Sequence, residues 1–269
     1  METPDSTLTW SLQDRWDVLG VTTDWWARVP DLTGLTGRGV RVCVIDSGIE
    51  ADHPLVGPVQ GSYAVLTEDD GLVVRETEAE DVCGHGTACA GIIRRIAPEC
   101  ELYSVRVLGA GFTGQGAVFV EGLRWAVTQG FDIVNVSLST TRGALAEELR
   151  RVSDDAYFRR TVIVASAHNL PVESFPWRFS SVISVGSHAE EDPDLIVYNP
   201  RPPVEFFAHG SNVEVAWRGG GRTRCTGNSF ATPHVTGLCA LILSGRPRLT
   251  TFQVKNALYM HARNVRRGR

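Results

Sequence analysis

Lysine is almost missing from this chain of 269 residues: Lys255 is the only one, and arginine carries the rest of the positive charge. The arginines follow no spacing that suggests a site, so we read the bias as compositional. No basic surplus is present either. The formal net charge is -5, which leaves no electrostatic footprint for nucleic acid. No apolar run approaches the roughly 18 residues of a membrane span, which argues against a spanning helix. The stretch Met1 to Gln13 is polar and acidic and lacks the basic-then-apolar pattern of a secretory leader. Zinc spacing is absent too, because Cys83 and Cys89 have no second pair nearby. The six cysteines (43, 83, 89, 100, 225, 239) are therefore expected as reduced thiols in a cytoplasmic protein. Neither an internal repeat nor a low-complexity linker appears, which favours a single domain.

What is present is an alternation of element types. Trp10, Trp16, Trp25 and Trp26 lie in a polar lead-in, expected to pack on the body, with its boundary at residue 33. Gly37 and Gly39 break it, and residues 40–45 follow as a short, nearly all β-branched strand. Residues 60–80 are polar, with 68–71 a hairpin or loop tip. Further strands are expected over 102–108, 132–138, 161–167 and 181–186. Helices are expected over 117–128, 143–158 and 250–262. Strands alternating with helices indicate a parallel sheet covered on both faces. Residues 199–224, rich in Pro, Arg and Gly, read as irregular. The arginines of 263–269 read as a frayed, solvated end.

Three segments carry chemistry. Strand 40–45 runs into Asp46-Ser47-Gly48, an acid at the carboxyl end of a buried strand, where open α/β sheets place functional groups. His85 sits between Gly84 and Gly86 at the start of a helix of small residues, which leaves its ring approachable. Ser229 follows a Gly227-Asn228 turn at the start of an apolar helix. Its hydroxyl is thereby lifted to a helix N-terminus, where free N–H groups favour developing negative charge. A serine of this kind works as a nucleophile when a base sits beside it and a carboxylate orients the base.

The order Asp46, His85, Ser229 is that of subtilisin. The segments 44–49, 85–91 and 227–235 resemble the Asp, His and Ser motifs of the subtilisin-like serine proteases, or subtilases, and the likeness spans about residues 34–262. Cys89, four residues after His85, resembles the thiol-bearing proteinase-K-like branch. The resemblance implies an α/β, three-layer fold with a mainly parallel central sheet and helices on both faces. It implies a serine endopeptidase acting through an acyl-enzyme, with Asn169 as a side-chain oxyanion donor. Phe112, Thr113 and Gly114 on one side, and Ser137, Leu138 and Ser139 on the other, would flank an extended peptide. Ser166, Ala167, His168, Ser174 and Trp177 would wall the pocket for the residue before the cleaved bond, and Trp177 would either make that pocket narrow or pack outward over the loop.

Several points depart from the family pattern. His168 stands where glycine usually precedes the oxyanion Asn, which predicts an adjusted or strained loop. Asn228 replaces the usual Thr before the nucleophile, a tolerable change. No cofactor is required; structural calcium occurs in the family, but no loop offers spaced oxygen ligands for it. Only some 35 residues precede the first motif, too few for a folding-assisting propeptide, so such a chain either folds unaided, or has a separate inhibitor or regulator, or has been trimmed; peptide or protein substrates are the expected partners. Two other readings use the same residues: a catalytically silent binding protein, and a peptide ligase or cyclase that passes the acyl group to an amine.

Overall fold

The computed structural model describes residues 30–190 and 192–266. The tryptophans of the expected lead-in and the last three residues lie outside that range. The elements are β1 (Arg41–Asp46), the hairpin β2 (Gly61–Glu68) and β3 (Gly71–Glu76), α1 (His85–Ile96), β4 (Glu101–Arg106) and α2 (Gly116–Thr128). Then come β5 (Ile133–Val136), a 3-10 turn (Gly143–Leu145), α3 (Ala146–Arg159), β6 (Val162–Ser166) and β7 (Ile183–His188). The chain closes with β8 (Val197–Tyr198), β9 (Phe206–His209), β10 (Val213–Trp217), β11 (Gly221–Cys225), α4 (Asn228–Gly245), α5 (Thr251–His261) and the single turn α6 (Arg263–Arg266).

Among the described residues one nine-stranded sheet runs in the order β3-β2-β4-β1-β5-β6-β7-β9-β8. Its pairs are parallel except at the two edges, where β3 and β8 run antiparallel to their neighbours. Alternate side chains of each strand feed opposite layers. Val42 and Val44 of β1, with Leu102, Ile133 and Val164, join the core beneath α1, α4 and α5. Cys43 and Ile45, with Val105, Val134 and Ile163, join the core beneath α2 and α3. Strands buried on both faces read as continuous apolar runs, which is why the sequence showed them so clearly. The result is the expected three-layer α/β architecture.

Residues 199–224 are not irregular. They hold β9, β10 and most of β11, the last two forming a separate antiparallel hairpin. Val213 and Val215 face inward while Glu214, Arg222 and Arg224 face water, a period-two pattern hidden among the Pro and Arg residues. Gly219 and Gly220 supply the left-handed backbone of its turn, with φ of 78° and 70°. The basic end is docked rather than frayed as far as Val265. Arg263 N–H donates to Ile196 O, Asn264 exchanges hydrogen bonds with the Tyr198 backbone, and Val265 packs on the core.

Candidate active site

Strand β1 lies between β4 and β5, which cross over in opposite directions from it, so its carboxyl end opens at the switch point of the sheet. Asp46 ends that strand and is fully buried. Its carboxylate accepts from the Ser47 N–H at 2.8 Å and from His85 Nδ1 at 2.8 and 2.9 Å, one contact to each oxygen. A carboxylate can only accept, so Nδ1 carries the hydrogen and Nε2, across the ring, is the basic nitrogen. Burial, the largest single influence, pushes the imidazole down, but the Asp46 carboxylate and, after it, the Cys89 sulfur together outweigh it, and the net shift is well up from the ordinary value.

Two features bring His85 to Asp46. Gly86 lies so close to the β1 turn that a Cβ there would run into the Gly48 carbonyl oxygen and lie 3.2 Å from Asp46 Cβ. Asp81, which sequence reasoning missed, holds the start of α1. Its Oδ1 accepts from Ser47 Oγ at 2.7 Å, Cys83 N at 3.0 Å and Gly84 N at 2.7 Å. Its Oδ2 accepts from Thr87 N at 2.8 Å and Thr87 Oγ1 at 2.7 Å. A helix leaves its first N–H groups without acceptors, and an acid followed within six residues by Gly-His-x-Thr was the signal available.

Ser229 is in the first turn of α4, where its N–H has no intrahelical acceptor. Its carbonyl would normally bond the N–H four residues on, but that residue is Pro233. Cys89 Sγ fills the gap, 3.7 Å from Ser229 O and 4.0 Å from His85 Nδ1, so the thiol touches both the base and the nucleophile's backbone. Burial raises its pKa and keeps it a neutral thiol. No hydrogen bond joins Ser229 Oγ to the imidazole among the described residues. Such links commonly tighten only with substrate bound. The His85 ring is flanked by Phe230, with centroids 5.1 Å apart, and by the edge of Phe112 at 5.7 Å.

Asn169 is exposed on the loop after β6. Its Oδ1 accepts from Asn228 N–H at 2.9 Å, which leaves Nδ2 free to donate. A Cβ built on Gly227 would lie 3.4 Å from Ser229 Oγ and 3.5 Å from Asn169 Nδ2, so the serine and the amide border one small space. His168 does not take left-handed φ, and the expected backbone strain there is absent. Its Nδ1 accepts from Leu170 N–H instead.

The other residues named from the sequence divide by exposure. Phe112, Thr113 and Gly114 form an exposed edge, and Leu138 and Ser139 are half-buried. Ser137 is buried, its Oγ accepting from Asn135 Nδ2. Ser166 is also buried and donates to Ala167 O, and Ala167 is 7% exposed. Trp177 lies in the core beneath α2 and α3, and its indole N–H donates to the fully buried Ser174 at 2.7 Å. Trp177 therefore buttresses Ser174 from behind rather than lying over the loop.

Among the described residues the one cluster of three potential metal ligands is Asp46, His85 and Cys89. Calcium requires a cage of six to eight oxygens, which a thiol and an imidazole do not provide.

The fold and this site define a class, the serine peptidases with an Asp-His-Ser order. Comparison with known proteins narrows it. The sequence profile of the subtilase family matches residues 37–269, and the chain belongs to that family of serine-type endopeptidases. It is 32% identical to subtilisin E of Bacillus subtilis (strain 168) over 240 residues, covering 84% of this chain and 61% of that protein. It is 32% identical to subtilisin DY of Bacillus licheniformis over 247 residues, covering 86% of each. The chain thus spans about three fifths of the length of the first relative and most of the second. A crystal structure of a cold-adapted subtilisin-like serine proteinase superposes with a TM-score of 0.67 at 27% identity, covering 82% of this chain and 81% of the other.

Proposed function

We propose that this chain is a serine endopeptidase that cleaves peptide bonds through an acyl-enzyme on Ser229. The observation that carries the reading is the buried Asp46–His85 pair, with both carboxylate oxygens on Nδ1 and Ser229 on the adjoining helix start. His85 Nε2 takes the Ser229 proton as Oγ attacks the scissile carbonyl, then returns it to the leaving amine, while Asp46 stabilises the imidazolium. The Ser229 N–H and Asn169 Nδ2 receive the oxyanion. Water, activated by the same imidazole, then releases the acyl group. Every group in this scheme belongs to the chain, so it calls on no cofactor.

Substrate lies extended between residues 112–114 and 137–139, exchanging main-chain hydrogen bonds as an added strand. The exposed edge at Phe112, 52% accessible, supports this. The Trp177–Ser174 pair behind the pocket wall supports a narrow pocket that prefers small side chains before the cleaved bond. Profiling a peptide library checks this, and efficient cleavage after Phe or Tyr would contradict it.

All six cysteines are free, and five are buried. That supports a reducing, cytoplasmic setting. No helix among the described residues is long and apolar enough to cross a membrane. The central test is a fluorophosphonate probe. Labelling of the native chain and its loss in Ser229→Ala are expected, and an unlabelled native chain would point to a silent binding protein. Mass spectrometry of products separates hydrolysis from ligation.

A further inference from the structure

We propose that Asn228 is the positioning residue of the oxyanion site, fixing the separation between its two donors; the inference rests on the peptidase reading above. A primary amide offers two hydrogens and an oxygen with two lone pairs, and here all four are used. Oδ1 accepts from the Ser187 N–H and the Ser187 hydroxyl, both at 2.8 Å. Nδ2 donates to Ala167 O at 3.2 Å and to His168 O at 3.1 Å. The backbone N–H of the same residue holds Asn169 Oδ1. One residue thereby ties the exit of β6 and the end of β7 to the first turn of α4.

The two donors it links are its neighbours on either side of the site. The Ser229 N–H follows Asn228 in the chain, and Asn169 is held by its backbone and follows His168, whose carbonyl is held by its side chain. Asn169 needs such a tether, because residues 169–173 are all exposed and His168 replaces the glycine usual before it. An oxyanion donor works at about 2.7–3.1 Å from the developing charge. Misplacement by about 1 Å can cost on the order of 100-fold in rate. A threonine, the family's usual residue here, has one hydroxyl and cannot span both carbonyls and Ser187 at once.

The test is a double-mutant cycle in the full chain, read by steady-state kinetics and by the rate of fluorophosphonate labelling. Asn228→Ala should lower kcat about 10- to 100-fold with KM within about twofold, as for an interaction realised in the transition state. Introduced on top of Asn169→Ala, the same change should cost less than about threefold, because the donor it positions is already gone. Asn228→Asp is nearly isosteric, keeps the Ser187 contacts and sets an oxygen against the two carbonyls. It should fall in the same direction with the same coupling, and it decides the matter if the Ala variant does not fold. Independent, multiplying losses in the two backgrounds would overturn the proposal, as would an effect confined to KM or an Asp variant with native kcat. A native chain that the probe does not label would instead overturn the peptidase reading, before the cycle is compared.

Discussion

His85 must be neutral to accept the Ser229 proton, and the Asp46 carboxylate beside it raises its pKa well above the ordinary value. Activity should therefore climb with pH as the imidazole loses its proton, with a midpoint above the ordinary histidine value of about 6.5. Asp46→Asn removes the raising charge and leaves the burial, so the midpoint should move down while kcat falls by about 10,000-fold. A pH–rate profile of both proteins checks the sign, and an unmoved or rising midpoint would remove Asp46 as the cause. Asn169→Ala should lower kcat about 100- to 1,000-fold, the usual cost of losing one oxyanion donor. By contrast His234 is neutral at any working pH. Burial lowers its pKa to about 3, and its Nδ1–H donates to Phe230 O inside α4.

Helix α1 carries His85 on its first turn, so whatever fixes the start of the helix fixes the base. Asp81 accepts five hydrogen bonds there, two of them from the hydroxyls of Ser47 and Thr87, both fully buried. Asp81→Ala leaves those donors unpaired and should cost about 1–3 kcal/mol of stability, together with a clear loss of kcat as the imidazole drifts. Denaturant melts and kinetics on one preparation test both effects, and native turnover would remove Asp81 from the site's support. Gly86→Ala acts on the same element by pushing α1 off the β1 turn. Helix α4 is held to the sheet differently, by Thr236 Oγ1 donating to the buried Asn135 Oδ1 of β5 at 2.8 Å. Thr236→Val keeps the shape and orphans that oxygen, a cost of about 1–3 kcal/mol that a thermal melt would register.

Over the molecule as a whole, the six thiols report on packing. Burial raises the pKa of Cys43 and Cys239, and lifts Cys100 to about 11. Cys225, on the outer hairpin, is the partly exposed one. Native alkylation should modify Cys225 well before the other five, and denatured protein should take up six equivalents; mass spectrometry counts both. Most of the architecture was legible in the chain. Doubly buried strands such as residues 40–45 and 161–167 are short, mostly apolar runs, and the small-residue helices after His85 and Ser229 carry local signals of their own. The hairpin of β10 and β11 was not legible, because its period-two pattern is short and interrupted by Arg and Gly. The four-bond role of Asn228 was equally hidden, since its partners at 167, 168 and 187 are distant in the chain. Order and residue type were set locally: Asp46 after a β-branched run, His85 between glycines, Ser229 before an apolar helix. Distance and direction were not, because the 2.8 Å contact between residues 46 and 85 and the tethering of Asn169 by residue 228 exist only once β1, β6 and α4 are packed around one core.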